Sequence, residues 1–316
     1  MADPLILLAR EAVKLGSDRE LRRAASAGRV VRIQPGAFVA ATDWASATDA
    51  ERYRARVRAA AARSHAYAQF SHASAAAMYR LPAVGAWPKV VHELVAASAG
   101  GTSRTVIRRH GLGFDEHPRL IDSVLVTSFA RTLVDVSATE AFASAVIRLD
   151  DSMRAPREHE PRFGMGVPAL TRAELLSELA SLEPYRGSVK SRLAIEFADG
   201  GAGSPGESLC RVQFRALGVV PPLLQHEFRG AGGFSAFTDF WWPEVRIAGE
   251  YDGPVKYSRN RAFQRDTDAR EILWEEKVRE DTIRRQVAGF FRLTADDIRD
   301  RQRLRRVLLD AGVPFM

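Results

Sequence analysis

The stretch TDFWWPEVRIAGEYDGPVKY, residues 238–257, reads as two apolar strands around a tight Trp-Pro-Glu turn, yet carboxylates interrupt it. The four acids are Asp239, Glu244, Glu250 and Asp252. A buried carboxylate without a partner carries a large cost in folding free energy. The stretch therefore predicts a strand pair whose acids share a function.

The turn sets which residues of the two strands face each other. If residues 243–244 form a two-residue hairpin loop, Trp242 faces Val245 and Asp239 faces Ala248. Side chains alternate between the two faces of a sheet with a period of two. The register then decides which acids approach one another.

In this register Asp239, Glu250 and Asp252 leave the same face of the sheet. Asp239 lies diagonal to Glu250, at roughly 7 Å between backbones. Like charges this close are costly unless a cation neutralises them, and oxygen ligands suit Mg²⁺. The spacing therefore predicts one shared cation, provided that no bulge breaks the register.

The elements around this hairpin follow the order αβββαβα. Ser204 and Pro205 open a helix that carries Glu207 on the face of its apolar residues. The later segments are strands at 221–228, 236–242, 245–252 and 290–294, a long helix at 269–289 and a closing helix at 295–312.

Four segments carry a family resemblance: "ES..R..F..LG", "QHEF", "TDFWWPEVRIAGEYDG..KY" and "WEEKVREDTIR". Residues 204–311 resemble the PD-(D/E)XK nuclease superfamily, and more closely its small domains related to very-short-patch-repair endonucleases. The resemblance implies a restriction-endonuclease-like fold and DNA hydrolysis that depends on Mg²⁺ or Mn²⁺.

The resemblance also implies roles for individual residues. Asp239 and Glu250 become metal ligands, with Asp252 as a candidate third, and Glu207 becomes an outer ligand or a positioning residue. Lys256 becomes the cation that stabilises developing negative charge. The simple motif has Lys at the place of Asp252, so either Lys256 reaches back or Lys277 takes this role.

Structural explanations stand beside these roles. Glu207 is equally explained as the capping-box acid of Ser204, and Asp252 could simply begin a turn with Gly253. Lys256 also fits a surface loop, and Lys277 a solvated helix position in contact with Asp281. The seven histidines show no metal-binding spacing, and His72 in "FSHASAA" is more typical of a helix start or of packing.

The amino-terminal segment predicts a winged helix-turn-helix. Apolar residues at helical spacing end at Gly16, and Ser17 with Glu20 forms a capping box that opens a second helix up to residue 27. Alternating apolar residues around a Gln-Pro-Gly turn, 28–40, then predict a hairpin.

The segments "LLAREAVKLGSDRELRRAASAGRVVRIQPGAFVA", "FSHASAAAMYRLP" and "VTSFARTLVDVS" resemble the AbiEi-type antitoxin and transcriptional-regulator family over roughly residues 5–155. The resemblance implies binding of double-stranded DNA. Arg19, Arg22 and Arg23 lie on the second helix, which would enter the major groove. Arg29 and Arg32 flank the wing and could contact phosphate.

The composition bounds the class of protein. The 316 residues carry a formal net charge of +7 and a sequence pI of about 9.9, which favours anionic partners such as nucleic acid. Cys210 is the single cysteine, which excludes an intrachain disulfide and fits a reducing cytoplasm. The apolar runs are too short for a membrane span or a signal peptide, so we expect a cytoplasmic protein without a membrane partner.

The predicted fold is an α/β multidomain chain. Residues 1–45 form the winged helix-turn-helix, 46–160 an AbiEi-like α+β domain, 161–203 a helical linker, and 204–316 the endonuclease-like domain. Two hypotheses follow. The chain is either a DNA-binding, Mg²⁺-dependent endonuclease in defence or repair, or an antitoxin-type repressor, partnered by a toxin, whose nuclease-like domain is catalytically silent.

Overall fold

The computed structural model describes residues 3–99, 106–158, 160–230, 235–253, 274 and 277–316. The chain forms two compact units of mixed α/β structure. Unit 1 comprises Met1–Arg148 with Ala155–Glu196, and unit 2 comprises Leu149–Arg154 with Phe197–Met316. In the described ranges no helix has the length and apolar character needed to cross a bilayer.

Unit 1 begins with a small three-stranded sheet and two exposed helices. Its first elements are β1 (Leu7–Leu8), α1 (Ala9–Lys14), α2 (Asp18–Ser26), β2 (Val30–Gln34) and β3 (Ala37–Ala40), with the sheet order β1-β3-β2. The predicted hairpin is confirmed. The predicted capping box is wrong, because the Ser17 hydroxyl donates to the Ala12 carbonyl oxygen at 3.3 Å and makes no cap hydrogen bond.

The second part of unit 1 is built on a five-stranded sheet of order β6-β5-β4-β8-β7. Its strands are β4 (Gln69–Phe70), β5 (Val91–Val95), β6 (Ile107–Gly111), β7 (Arg119–Ile121) and β8 (Val124–Val126). Its first helices are α3 (Ala41–Ser46), α4 (Asp49–Ala61) and α5 (His72–Met78). The strand β5 runs antiparallel to β4 and parallel to β6.

The Arg-rich helix α4 holds the start of the chain. Thr48 and Glu51 form a capping box at its N-terminus. The buried guanidinium of Arg54 donates to both carboxylate oxygens of Asp3, at 2.6–3.0 Å, and Arg58 donates to the Pro4 carbonyl oxygen at 2.5 Å. Part of the basic character of α4 is therefore neutralised inside the fold.

Five further helices follow: α6 (Phe129–Thr139), α7 (Phe142–Met153), α8 (Pro161–Gly164), α9 (Arg172–Ser181) and α10 (Ser188–Phe197). Thr171 and Glu174 form a capping box at the start of α9. The range 161–203, predicted as a linker, includes α9 and α10, which belong to unit 1 up to residue 196. Leu175 and Leu179 of α9 are fully buried, so this range contributes to a core.

Among the described residues, the elements of unit 2 follow the predicted order. They are α11 (Pro205–Leu217), β9 (Leu223–Arg229), β10 (Ser235–Trp242), β11 (Ile247–Asp252), a helical segment at 277–284, here α12, then β12 (Gly289–Thr294), α13 (Ala295–Arg299) and α14 (Arg301–Asp310). The predicted single closing helix is divided, because Asp300 caps α14 through the backbone N–H groups of Gln302 and Arg303.

The sheet of unit 2 has the order β12-β11-β10-β9, with β11 and β12 parallel and the other pairs antiparallel. Phe240 and Trp242 pack with Phe214 of α11. Trp241 and Ala248 pack in a second cluster with Ile283 of α12. The sheet is therefore buried on both faces, and a charged residue in it needs a partner.

The predicted hairpin register is wrong by two residues. Trp242 faces Ile247, and Asp239 does not face Ala248, which pairs with Trp241 instead. A two-residue loop needs positive φ angles that Pro243 is unable to adopt. Residues 243–246 form a longer turn, in which Arg246 has φ 54° and its backbone N–H donates to the Pro243 carbonyl oxygen. A shift of two leaves each side chain on its predicted face.

We predict that Gly187→Ala destabilises unit 1 more than the same change at a glycine whose added Cβ would meet no other atom. Gly187 has φ +92°, and an added Cβ would lie 2.6 Å from the Ala138 carbonyl oxygen. We expect a loss of about 3 kcal/mol in the free energy of unfolding, about half from the left-handed backbone and half from the steric clash. Urea denaturation measures it.

The matched control is Gly85→Ala, because Gly85 has φ +78° but no atom within 4 Å of the added Cβ. This variant should lose only the backbone contribution, about 1–2 kcal/mol. Equal losses in the two variants would show that the approach to Ala138 contributes nothing to stability.

Candidate functional site

The hydrogen-bond ladder between β10 and β11 ends at Phe240 and Gly249. Beyond that pair, side chains of β10, and not its backbone, form the hydrogen bonds to β11. The Thr238 hydroxyl donates to the Gly249 carbonyl oxygen at 2.8 Å, and the Tyr251 backbone N–H donates to Asp239 Oδ2 at 2.8 Å. Asp239 therefore lies at the point where the two central strands separate.

Asp239 and Glu207 are joined through one amide. Gln225 Nε2 donates to Glu207 Oε2 at 2.9 Å and to Asp239 Oδ1 at 3.0 Å. Gln225 lies on β9 with φ 50°, a backbone conformation that is uncommon for a residue other than glycine. The structure thus brings together the predicted helix acid and the predicted strand acid.

Glu207 also has a structural role, which differs from the predicted capping box because its carboxylate binds the Gly203 backbone N–H and not that of Ser204. It is 7% exposed, and its carboxylate accepts hydrogen bonds from the Gly203 backbone N–H at 2.7 Å and the Ser204 hydroxyl at 2.8 Å. Its own backbone N–H donates to Ser204 Oγ at 3.2 Å. One carboxylate therefore orders the start of α11 and contacts the partner of Asp239.

Cys210, one helical turn after Glu207, is fully buried. Burial, with the nearby carboxylates of Asp239 and Glu207, raises the pKa of its thiol well above the usual value. The thiol stays protonated and packs as a small apolar group. It adds no nucleophile to the site.

Glu250 is 2% exposed and is held by arginines. Arg279 of α12 binds it in a bidentate pair, with N–O distances of 2.6 and 3.0 Å, and Arg292 of β12 lies 3.5 Å from Glu250 Oε2. Arg279 also donates to the Phe237 carbonyl oxygen at 2.9 Å. In the described residues, guanidinium groups therefore provide the positive charge next to Glu250.

Asp252 belongs to the same charged group. Arg292 lies 3.5 Å from Asp252 Oδ2 and 2.9 Å from Glu280 Oε2. Glu250 and Arg292 are paired in the parallel ladder of β11 and β12, so they are neighbours across two strands. The predicted acids thus lie in two groups, with Asp239 and Glu207 around Gln225, and Glu250 and Asp252 around arginines.

Lys277 is exposed on α12, and Lys256 lies outside the described residues. Sequence reasoning missed Arg279, Arg292 and Gln225. In the sequence, the only indication of the two arginines is the basic run after the hairpin. No spacing rule relates that run to Glu250.

The donor chemistry of these acids fits a hard cation, since all the candidate ligand atoms are oxygens. The arrangement fits less well. Both carboxylate oxygens of Glu250 accept hydrogen bonds from Arg279, so a metal ion at Glu250 would have to displace that guanidinium. The predicted acids also do not form a group of three whose ligand atoms lie within 4.8 Å of one another among the described residues.

The five arginines of the predicted DNA-binding surface are all exposed. Arg22 forms an ion pair with Asp18 one turn earlier in α2. Arg19 is a neighbour of both Arg22 and Arg23 on α2, because i, i+3 and i, i+4 positions lie on one face of a helix. Arg29 lies just before β2 and Arg32 lies within it. Apart from Arg22, the arginines of this surface form no ion pair within the part of the chain that the structure describes.

No family model matches the chain. It is similar to two uncharacterized proteins of Mycobacterium tuberculosis, MT2308 of strain CDC 1551 and Rv2248 of strain H37Rv. Each match has 32% identity over 143 residues, which is 43% of this chain and 48% of the relative. The chain thus spans about half the length of the curated relatives that it matches.

Proposed function

We propose that the chain binds duplex DNA and that unit 2 is a restriction-endonuclease-like domain that hydrolyses DNA phosphodiester bonds with Mg²⁺ or Mn²⁺. The observation that carries the proposal is Asp239, whose carboxylate lies where β10 and β11 separate and is joined through Gln225 to the buried Glu207. The resemblance of residues 204–311 to very-short-patch-repair-type domains agrees with it.

The energetics of the buried acids support a functional reading. Glu250 is almost completely buried, and apolar residues of similar volume are often as stable as a buried ion pair. Stability alone therefore gives little reason for a Glu–Arg pair at this position.

A divalent cation, when bound, would supply an activated water and neutralise charge on the scissile phosphate. Asp239 and Glu250 provide its oxygen ligands, and Glu207 positions Asp239 through Gln225. Arg279 lies beside Glu250, and its planar guanidinium would be well suited to bind the phosphate. Arg279 thus takes the role that the family resemblance gives to a lysine.

Unit 1 provides the affinity for duplex DNA in this proposal. The order of two helices and a hairpin over residues 9–40 supports a winged helix-turn-helix, with α2 as the helix that enters the major groove. Arg19 and Arg23 are exposed on that helix, and Arg32 is exposed on the wing. The resemblance to AbiEi-type regulators points to the same surface.

A second candidate function is a DNA-binding regulator of the antitoxin type with a silent nuclease-like unit. The observation that favours it is the bidentate pair of Glu250 with Arg279, which occupies both oxygens of a predicted metal ligand. In that case the pair is purely structural, and a toxin protein or a promoter would be the partner.

We predict that Asp239→Asn and Glu250→Gln each lower metal-dependent cleavage of supercoiled DNA by at least about 100-fold, because each removes a ligand charge of the proposed metal site. Gel assays with Mg²⁺, Mn²⁺ and EDTA measure nicking, and mobility shifts on the same samples measure binding. Duplex binding should stay equal or become tighter, since a negative charge near phosphate is removed.

The matched control for these two variants is Glu244→Gln, an exposed acid in the turn between β10 and β11. This control should cleave like the wild type. Shifts without nicking by the wild type in any metal would reject the endonuclease and favour the regulator, whereas equal cleavage by all four proteins would reject only the assigned acids.

We predict that Arg279→Gln lowers the free energy of unfolding by about 3 kcal/mol, because Glu250 then has no bidentate partner while buried. In the double variant with Glu250→Gln the loss should be smaller than the sum of the two single losses, by about 1–3 kcal/mol. Urea denaturation of the four proteins gives this coupling energy. Strictly additive losses would show that the ion pair does not stabilise unit 2.

We predict that Arg19→Ala combined with Arg23→Ala weakens duplex binding at every sequence tested and reduces the salt slope by about 2, since each arginine neutralises one phosphate in the proposed complex. Fluorescence anisotropy at several salt concentrations measures both quantities.

The charge-matched control is Arg186→Ala combined with Arg192→Ala, two exposed positions of unit 1 in and near α10. Its salt slope should equal that of the wild type. If the two double variants weaken binding equally, net charge rather than the α2 surface determines affinity.

A further inference from the structure

Three histidines that are distant in sequence meet in unit 1. His72 is the first residue of α5, directly after β4, while His92 lies in β5 and His110 in β6. The Ser71 backbone N–H donates to the His92 carbonyl oxygen, and His110 pairs with Leu94 in the β5–β6 ladder. One ring nitrogen from each histidine lies within 4.8 Å of those of the other two.

His92 and His110 interact through their ring nitrogens. His92 Nδ1 and His110 Nε2 are 3.0 Å apart, and the two rings are nearly parallel, at 13°. This is a hydrogen-bond distance, so one nitrogen donates a proton and the other accepts it. A divalent ion would replace that shared proton.

His72 completes the group by stacking on His110, with ring centroids 3.8 Å apart. Its Nδ1 lies 2.9 Å from Ser71 Oγ and 3.7 Å from Asp135 Oδ2. That leaves Nε2 as its metal-binding atom. His72 has φ +50°, so the chain holds this side chain in place with a backbone conformation that is uncommon outside glycine.

Asp135 lies behind His72 and is completely buried. Its Oδ1 accepts hydrogen bonds from Arg131 Nε at 2.9 Å and from the Tyr185 hydroxyl at 2.6 Å. Its Oδ2, the oxygen that faces His72, has no hydrogen-bond partner among the described residues. Metal-binding histidines usually donate their second N–H to such a carboxylate, which fixes the ring and raises its basicity.

The three rings are held in the form that binds metals. Burial lowers the pKa of His92 to about 3, and burial also lowers the pKa of His72 and of His110. Neighbouring histidines and Arg108 lower the pKa of His72 and His92 further. Neutral imidazole, with a free lone pair, is the ligand form of histidine.

We propose that His72, His92 and His110 form a binding site for one divalent transition-metal ion, such as Zn²⁺, with Asp135 as the outer partner of His72. Zinc bonds to imidazole of about 2.0–2.1 Å place tetrahedral ligand nitrogens roughly 3.3 Å apart. His92 and His110 need to separate by only a few tenths of an ångström. The stacked ring of His72 must turn so that Nε2 points at the ion.

The charges around the site limit what it binds. Arg131 is already paired with Asp135, and Arg108 is near, so the surroundings oppose a cation held by charge alone. Three nitrogen ligands favour Zn²⁺, Co²⁺, Ni²⁺ or Cu²⁺ over Mg²⁺ or Ca²⁺, which prefer oxygen. The site is therefore distinct in chemistry from the carboxylates of unit 2.

The first test uses the whole chain, without a polyhistidine tag and treated with a chelator. We expect the intense visible band of tetrahedral nitrogen ligation to saturate at one Co²⁺ ion per chain, and Zn²⁺ to remove this band by competition. Removal of one ligand in His110→Gln should weaken binding by roughly 100-fold or more, since removal of an outer partner alone costs 10–100-fold.

Two controls locate the ion. His117→Gln changes an exposed histidine outside the group and should bind Co²⁺ like the wild type. Asp239→Asn tests the acids of unit 2 and should also keep the band. Absence of the band in the wild type, equal affinity of His110→Gln and the wild type, or disappearance of the band in Asp239→Asn would overturn the proposal.

A second measurement needs no variant and so does not depend on whether His110→Gln folds. X-ray absorption at the zinc edge of the loaded wild type should show three imidazole ligands at about 2.0–2.1 Å. A shell made only of oxygen ligands would overturn the proposal. Both measurements report binding, so their outcome is independent of whether the chain cleaves DNA.

Discussion

The organisation of unit 2 depends on the place where β10 and β11 stop exchanging backbone hydrogen bonds. At Thr238 and Asp239 the side chains form the bonds to β11 that the backbone forms elsewhere. A buried backbone N–H left without an acceptor is costly, so the Asp239 carboxylate compensates for the opening of the sheet. Asp239 is half-buried, so its structural role and its proposed chemical role fall on the same carboxylate.

The sequence predicts the elements of this sheet because their signals are local. Apolar alternation marks the strands, Pro205 and Ser204 mark the start of α11, and each strand residue keeps its predicted face. The predicted turn is wrong although its decisive residue is visible in the sequence. Pro243 has a fixed negative φ, which is incompatible with a two-residue loop, and that constraint alone requires a longer turn.

The partners of the acids could not be predicted in the same way. Arg279 is 29 positions from Glu250, and it reaches Glu250 only because α12 packs on the face of the sheet that carries Ala248. Arg292 reaches it through a parallel pairing, which needs a crossover and leaves no short-range signal. Whether a buried acid binds a metal or an arginine is thus decided by contacts that a spacing rule does not contain.

The histidine group could not be predicted for the same reason, because its contacts join residues that are distant in sequence. Motif rules for metal sites describe ligands a few positions apart on one helix or loop. His92 and His110, in contrast, come from the neighbouring strands β5 and β6, and His72 comes from the start of helix α5. Packing alone would favour apolar side chains at a place this buried, because each neutral imidazole there still needs hydrogen-bond partners. The three rings lie beside a buried carboxylate oxygen that has no hydrogen-bond partner among the described residues. Such a group of polar atoms is costly to keep inside the fold. A bound ion would offset that cost, since ligand bonds to a metal satisfy all three rings at once.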